Sequence, residues 1–169
     1  MAILRCTAKL LKELGVKPES LADQPPDLFG WHCNLLRLNR RKYVLFTNDQ
    51  TLYSFLIRWS KAPQSPDFLE RFRLGLFKSL MNERIAEPQI EYFLSKHKHL
   101  TVTKTNNRSV LGSMNDLTLQ VKYRAYEYGE LTDARLSGIN RELNDIPMGA
   151  IKYNLSNVEL KRRLADTHE

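Results

Sequence analysis

The sequence predicts an α+β fold, in which an antiparallel meander sheet of three to five strands carries four to five helices packed mainly on one face. Three observations predict it: strand-like alternation within 31–57, apolar residues at helical spacing within 68–81, and a chain of 169 residues that is 42% hydrophobic and 27% charged. We expect a single domain over 1–169, with a core of about 3–153 and a charged C-terminal tail at 156–169 that is helical or frayed.

The N-terminal segment predicts a short strand followed by a short helix. AILRCT is apolar and β-capable, and it could join the sheet as a fourth strand. Thr7 is a typical helix N-cap and Gly15 a typical helix end, which predicts a helix from about Ala8 to Leu14. The following segment, KPESLADQPPDLFG, contains three prolines and predicts a surface loop.

The segment from Trp31 to Ile57 carries the strongest strand signal. Trp31 and Cys33 alternate with polar neighbours, and KYVLFT supplies β-branched and aromatic residues. Polar turns at 39–41 and 48–49 separate three apolar runs. Three strands joined by two tight turns predict an antiparallel meander.

The later part of the chain predicts helices with short strands between them. DFLERFRLGLFKSLMNERI places an apolar stripe on one helix face, and Pro88 suits the first turn of a helix over IEYFLSKHKH. A third helix is expected from about Ser113 to Tyr128, stopped by Gly129, and a fourth after the cap Thr132. TVTKT and PMGAIKYNL predict short strands. The stripe consists of Phe68, Leu69, Phe72, Leu76, Leu80 and Met81.

Hydropathy and cysteine content bear on where in the cell we expect the protein. No apolar run approaches the ~20 residues needed to cross a bilayer, and the N-terminus is too short and too charged for a signal peptide. We therefore expect a cytoplasmic protein without membrane contact. Cys6 and Cys33 lack C-x-x-C spacing, which predicts two reduced core thiols rather than a disulfide or a zinc site.

Positive charge is concentrated in two windows of the chain. The net charge is +7, and the window 28–66 carries +5 while the window 96–115 carries +4. If the two windows meet in space, they form a face that attracts phosphate or an acidic protein partner. A solvated basic surface that keeps the protein soluble is the alternative.

The stretch KTNNRSVLGSMNDL is the leading candidate for an anion site. It leads into a helix whose free N–H groups and dipole favour anions, and Gly112 could let the backbone approach a ligand closely. Ser113 and Asp116 also resemble a capping box, so plain helix capping is the alternative. The candidate anion ligands are Lys104, Arg108, Ser109, Ser113 and Asn115, with Arg40, Arg41 and Lys42 at the hairpin tip.

The histidines do not predict a metal site. His97 and His99 are separated by one residue and lack an obvious third ligand, so we expect both to be solvated. His32 precedes Cys33, but adjacent strand residues face opposite sides of a sheet and cannot form a nucleophile–base pair.

An enzymatic site would have to gather Asp116, Asn115, Asp49 and His32 around a cleft. No spacing among them demands catalysis, and turn chemistry alone explains Asp49. The sequence therefore assigns no catalytic residue, no cofactor and no metal.

Four segments together resemble a bacterial family of short proteins known only as a domain of unknown function. They are ILRCTAKLLKELG, WHCNLLRLNRRKYVLFTND, KTNNRSVLGSMNDL and INRELNDIPMGAIKY. The resemblance runs from about Ile3 to Tyr153, and SVLGSMNDL is its most specific piece. It implies a self-contained bacterial cytoplasmic domain, and it assigns no catalytic residues, because the family has no established activity.

Three functions are compatible with these observations. The basic face favours a binding module for a phosphate-bearing ligand or nucleic acid. The alternatives are a protein-interaction partner in a bacterial two-protein module, with an acidic partner on the basic face, and an enzyme with a site around Asp116, Asp49 and His32. The sequence leaves ligand identity and oligomeric state open.

Overall fold

A computed structural model describes residues 2–61 and 67–167 of the chain. These residues form a five-stranded sheet of order β4-β3-β2-β1-β5, a two-stranded sheet β6-β7, and six α-helices. In chain order the elements are β1 (Ala2–Cys6), α1 (Ala8–Leu14), β2 (Gly30–Leu38), β3 (Arg41–Asn48), β4 (Ser54–Trp59), α2 (Phe68–Asn82), α3 (Glu87–Ser95), β5 (Leu100–Lys104), α4 (Arg108–Tyr128), α5 (Asp133–Leu143), β6 (Pro147–Met148), a 3-10 turn at Gly149–Ile151, β7 (Asn154–Leu155) and α6 (Ser156–Asp166).

The central meander is confirmed, but the sheet is mixed rather than purely antiparallel. Strands β2, β3 and β4 pair antiparallel, and the first hairpin turns through Asn39 and Arg40, both at positive φ. Strand β1 lies parallel to β2 on one side and to β5 on the other. The direction of β1 follows from the crossover through α1, which returns the chain to the same end of the sheet before β2 begins.

Helices cover both faces of the sheet, so the prediction of packing mainly on one face is wrong. One core cluster joins α1, α2, α3 and α6 to strand residues such as Phe46. A second cluster joins α4 and α5 to strand residues such as Leu45 on the opposite face. The residues of β3 from Tyr43 to Asn48 are all buried, and a strand that is apolar on both faces needs cover on both.

The sixth helix in the described part of the chain is the predicted C-terminal tail. Helix α6 runs from Ser156 to Asp166 and buries Leu160 and Leu164 completely in the first core cluster. Four to five helices were predicted; this charged segment was expected to be either helical or frayed, and it is a helix that packs on the core. Its apolar stripe has only two fully buried leucines, four residues apart on one helix face.

Capping and stop residues predicted most helix ends correctly. The Thr7 side chain accepts a hydrogen bond from the N–H of Leu10 at the start of α1, and Gly15 ends that helix in the left-handed conformation, with φ 66°. Thr132 caps α5 in the same way, and Gly129 ends α4. Each of these helix ends depends on contacts within one turn of helix, so the residue types along the chain predict it.

The predicted α2 stripe and the two cysteines lie mainly in the core. Phe72 and Leu76 of the predicted α2 stripe are fully buried, whereas Met81 is 53% exposed. Cys6 and Cys33 are both free and buried, and they lie opposite each other in β1 and β2. Among the helices within the described ranges, none is long and apolar enough to span a bilayer.

Candidate functional site

A row of polar side chains crosses the sheet on the face that α4 and α5 cover. Pairing places Thr103 opposite Arg5, Arg5 opposite His32, His32 opposite Thr47, and Thr47 opposite Ser54. Directly opposed residues on neighbouring strands share a face. The Thr47 and Ser54 hydroxyls lie 2.8 Å apart and satisfy each other. The polar groups of β1 and β2 in this row have a different partner.

That partner is Asp49, which follows β3. Its Oδ2 accepts a hydrogen bond from Arg5 Nη1 at 2.6 Å, and its Oδ1 lies 2.6 Å from His32 Nδ1. The exposed fractions are 5% for Arg5, 0% for His32 and 7% for Asp49. We call these three residues the charge network. Burial makes the network costly to break, because removing one member leaves another charge unpaired away from water.

The backbone beside the charge network leaves room for no additional atom. A Cβ on Gly30 would lie 2.6 Å from Arg5 Nη1 and 2.6 Å from Asp49 Oδ2. The Gly30 carbonyl also accepts a hydrogen bond from the Asp49 N–H at 2.9 Å. Glycine at the start of β2 is therefore a steric requirement of the network.

The second ring nitrogen of His32 contacts the loop between β5 and α4. The backbone N–H of Asn106 donates to His32 Nε2 over 3.4 Å. In the tautomer that accepts this N–H at Nε2, the Nδ1–H group donates a hydrogen bond to Asp49 Oδ1. The charge network thus joins β1, β2, the end of β3 and the loop before α4.

A cleft of about 440 Å³ lies over Arg5. Its two walls are the loop residues 17–23 and the residues 103–106 at the end of β5. The N–H of Glu19 donates to the Val102 carbonyl at 2.9 Å, which holds the loop beside β5. We call this the Arg5 cleft. Its lining residues are Arg5, Lys17, Pro18, Glu19, Ser20, Leu21, Ala22, Asp23, Thr103, Lys104, Thr105 and Asn106.

The position and size of the Arg5 cleft are compatible with a small ligand. It lies at the carboxyl ends of the parallel strands β1 and β5, the edge at which sheets of this kind bind ligands. Ligand pockets usually enclose roughly 300 to 1,000 Å³. Two exposed lysines, Lys17 and Lys104, and the buried Arg5 supply positive charge, while Glu19 and Asp23 supply carboxylates.

Of the residues predicted for the anion loop, Lys104 lines the Arg5 cleft. Arg108, Ser109 and Asn115 are exposed and do not line it. Ser113 is buried within α4.

The predicted capping box at Ser113 is wrong. Helix α4 begins at Arg108, and the Asn107 side chain caps it by accepting hydrogen bonds from the N–H groups of Ser109 and Val110. The apolar spacing is compatible with either start, and TNN before Arg108 offers the earlier cap. Gly112 makes no close approach, since no atom lies within 4 Å of the place where its Cβ would be.

The predicted enzymatic constellation is partly assembled. Asp49 and His32 meet in the charge network. Asp116 and Asn115 are exposed on α4, and no hydrogen bond or ion pair among the described residues joins either of them to Asp49 or His32. Any chemistry at this site would therefore depend on Asp49, His32 and the neighbouring Arg5.

A second cleft, of about 540 Å³, lies at the tip of the β2–β3 hairpin and the end of β4. We call it the basic cleft. The two positive windows of the sequence supply different clefts, because Lys104 lines the Arg5 cleft while the hairpin residues line this one. Its charged lining residues are Arg40, Arg41, Lys42, Arg58, Lys61, Arg71 and Glu13.

His97 is a core residue, so the prediction that it is solvated is wrong. Its Nε2 accepts a hydrogen bond from Trp31 Nε1 at 2.9 Å, and its Nδ1 lies 2.7 Å from the Phe93 carbonyl. Burial lowers the pKa of His97 to about 4. His99 is exposed, as predicted. No cluster of three or more His, Cys, Asp or Glu side chains suited to a metal ion was found within 2–61 and 67–167.

Sequence reasoning missed Arg5 and Gly30. The signal for Arg5 was a charged residue in the middle of the otherwise apolar strand AILRC, since arginine is almost never fully buried without a partner. The signal for Gly30 was a glycine at the start of a strand rather than in a turn. Neither signal identifies Asp49 as the residue that both approach.

A comparison with known proteins identifies the family of the chain. The model of a family described as "Domain of unknown function (DUF6933)" matches residues 3–159. No curated protein and no solved structure matches the chain.

Proposed function

Because the chain belongs to the family described as a domain of unknown function (DUF6933), we propose its function from its own geometry: it is a binding module for a small phosphate-bearing ligand held in the Arg5 cleft. One observation carries the proposal. The guanidinium-bearing residue Arg5 is only 5% exposed, yet it lines a cleft at the carboxyl ends of two parallel strands.

Asp49 holds the Arg5 side chain in a fixed position in the cleft. The one side-chain hydrogen bond of Arg5 within the described residues is the 2.6 Å contact from Nη1 to Asp49. Most of its N–H donors are therefore left for a ligand, while the carboxylate fixes the position of the group. A planar guanidinium held in this way matches a phosphate better than a mobile lysine does.

The rest of the cleft suits a ligand that carries hydroxyl groups as well as phosphate. Lys17 and Lys104 add positive charge at the exposed walls. The carboxylates of Glu19 and Asp23 can accept hydrogen bonds from hydroxyl groups, and the Thr103 hydroxyl can donate or accept one. A sugar phosphate or a mononucleotide has this combination of groups and fits a cleft of about 440 Å³.

Catalysis on the bound ligand is a second candidate function, favoured by the contact between His32 and Asp49. A carboxylate that holds Nδ1 of an imidazole orients Nε2 as a general base. His32 Nε2 lies against the N–H of Asn106, which itself lines the cleft. Release of that weak 3.4 Å contact would present Nε2 to the ligand. Conversion of the bound compound by the wild type but not by His32→Gln would support this function.

The cellular setting remains a prediction. The bacterial origin and the cytoplasmic location are expected from the sequence, as is an acidic protein partner in a two-protein module. A protein partner would need an exposed positive surface, which the exposed Arg40, Arg41 and Lys61 side chains of the basic cleft provide.

Thermal unfolding in the presence of phosphate compounds tests the main proposal. We would measure the melting temperature with orthophosphate, sugar phosphates and nucleoside monophosphates. A ligand at 100 times its Kd adds about 2.7 kcal/mol to the free energy of unfolding, which raises the melting temperature of a protein of this size by about 5 to 10 °C.

Two double variants locate the site. Lys17→Met/Lys104→Met removes positive charge from the walls of the Arg5 cleft, and Lys9→Met/Lys122→Met removes the same charge from exposed positions outside both clefts. The first variant should lose most of the rise in melting temperature, and the second should retain it. The proposal fails if no phosphate compound stabilises the wild type at low salt, or if both variants lose the effect equally.

A further inference from the structure

We propose that the basic cleft is a separate binding site for the phosphate backbone of a nucleic acid. It shares no lining residue with the Arg5 cleft. The inference goes beyond the proposed function and does not depend on it.

The charge of the basic cleft is the first argument. Six cationic side chains and one carboxylate, Glu13, line it. Four of the six are arginines, the residue type that best matches phosphate geometry. Cations gathered around one cleft raise the local concentration of a polyanion. The six cations are Arg40, Arg41, Lys42, Arg58, Lys61 and Arg71.

The ion pairs in this region leave much of the positive charge unneutralised. Lys42 lies 2.8 Å from Glu13. Arg41 pairs with Glu130 at 3.5 Å, with both side chains more than half exposed, and Arg58 pairs with an exposed Asp133 at 3.0 Å. Ion pairs exposed in this way are weak, so a phosphate can replace the carboxylate. Arg40, Lys61 and Arg71 have no ion pair among the described residues.

Arg71 is held in place by neutral groups. It donates to the carbonyls of Ser60, at 3.0 Å, and Arg58, at 2.6 Å. Its guanidinium carbon lies 4.9 Å from the centre of the Trp59 ring. Carbonyls and an aromatic face orient a cation without cancelling its charge. The cleft therefore has a positioned positive group whose charge is left for a ligand.

The length of the basic surface points to a polymer rather than a single phosphate. Arg37 pairs with Lys42, and Lys42 pairs with Trp59, on one face of β2, β3 and β4. Three adjacent strands span roughly 10 Å. One strand of nucleic acid carries a phosphate about every 3.4 Å along a duplex axis. The row Arg37–Lys42–Trp59, extended by Arg71, can thus contact more than one phosphate.

The lining also distinguishes nucleic acid from a membrane surface. Helices that bind lipid surfaces insert large apolar side chains beside their cations. The basic cleft has one aromatic side chain, Trp59, which packs edge-on against Phe68 and stacks with Arg71. Its other lining residues are charged, apart from Ser60.

Fluorescence anisotropy with a labelled 20-nucleotide single strand, of RNA and of DNA, tests the inference across a series of salt concentrations. The variant Arg40→Gly/Lys61→Ala removes two unpaired charges, and glycine suits the φ of 66° at position 40. Lys9→Ala/Lys122→Ala is the matched control. The wild type should bind most tightly at low salt. The cleft variant should bind about tenfold more weakly, with a salt slope lower by about 1.4.

Three results would overturn the inference. In the first, the wild type fails to bind either strand at low salt. In the second, the control variant loses as much affinity as the cleft variant. In the third, polyglutamate or vesicles of anionic phospholipid compete as well as the nucleic acid does at equal charge concentration. The last result would assign the cleft to an acidic protein or a lipid surface instead. Ligand stabilisation through the Arg5 cleft should be unchanged in Arg40→Gly/Lys61→Ala, so failure of one proposal is distinguishable from failure of the other.

Discussion

His32 and Asp49 meet at 2.6 Å, between Nδ1 and Oδ1, with both side chains buried. The other carboxylate oxygen of Asp49 accepts from Arg5 at the same distance. Asp49 therefore serves two partners that stand side by side on β1 and β2. The position of Arg5 at the base of its cleft depends on this carboxylate.

Replacement of Asp49 by asparagine should cost about 3 kcal/mol of the free energy of unfolding. Asn is nearly isosteric, but it has no charge and only one acceptor oxygen, so Arg5 is left buried without a counter-charge. Urea unfolding measures the change. Asp116→Asn, at an exposed position on α4, should change the free energy by less than about 0.5 kcal/mol. Equal effects of the two substitutions would mean that the charge network does not stabilise the fold.

Pairs of residues like these are beyond prediction from one sequence. Thr7 and Gly15 were predicted as helix ends because each acts within one turn of helix. Asp49 lies 44 residues from Arg5 and 17 from His32. Its proximity to Arg5 depends on β1 pairing parallel to β2, and alternating apolar residues give strand position but not strand direction.

Alanine substitution of two glycines should have opposite effects. Gly30→Ala places a Cβ 2.6 Å from Arg5 Nη1 and Asp49 Oδ2, so the charge network must move, and we expect a loss of about 1 to 3 kcal/mol. Gly112→Ala meets no atom within 4 Å inside α4 and should stabilise the protein by about 1 kcal/mol. Urea unfolding distinguishes the two. A stabilising Gly30→Ala would show that the network tolerates the shift.

The start of α4 gives a third prediction. Asn107→Ala removes the acceptor for the N–H groups of Ser109 and Val110 and should cost about 1 kcal/mol. The matched control is Asn115→Ala, an exposed residue within the same helix, which should have little effect on stability. If Asn107→Ala changed the free energy of unfolding as little as the control does, water would bind the N–H groups of Ser109 and Val110 as well as Asn107 does.

For the candidate site as well, the sequence predicted the features that depend on neighbouring residues but not those that depend on strand pairing. Lys104 and the hairpin cations Arg40 to Lys42 were identified from charge, which is visible along the chain, and they line the two clefts. The windows that contain them were expected to form one face if they met. The hairpin tip of β2 and β3 extends five residues beyond the Cys33 position that pairs with the end of β1. The lengths and the register of the strands separate the two clefts. The positions of charged residues along the chain predict neither strand length nor register.

Stability should fall in mild acid because of His97. Burial holds the pKa of His97 at about 4, against an ordinary value of 6.5. Between these values the unfolded chain takes up a proton that the folded protein excludes. The contribution is complete above pH 6.5 and is lost as the pH falls toward 4, by about 3 kcal/mol in total. Urea unfolding at pH 7.5 and 4.5 measures the loss in the free energy of unfolding. In His97→Gln this loss should be smaller by about 3 kcal/mol. His99→Gln, at an exposed position, should keep the pH dependence of the wild type. An unchanged pH dependence in His97→Gln would assign the acid sensitivity to the carboxylates instead.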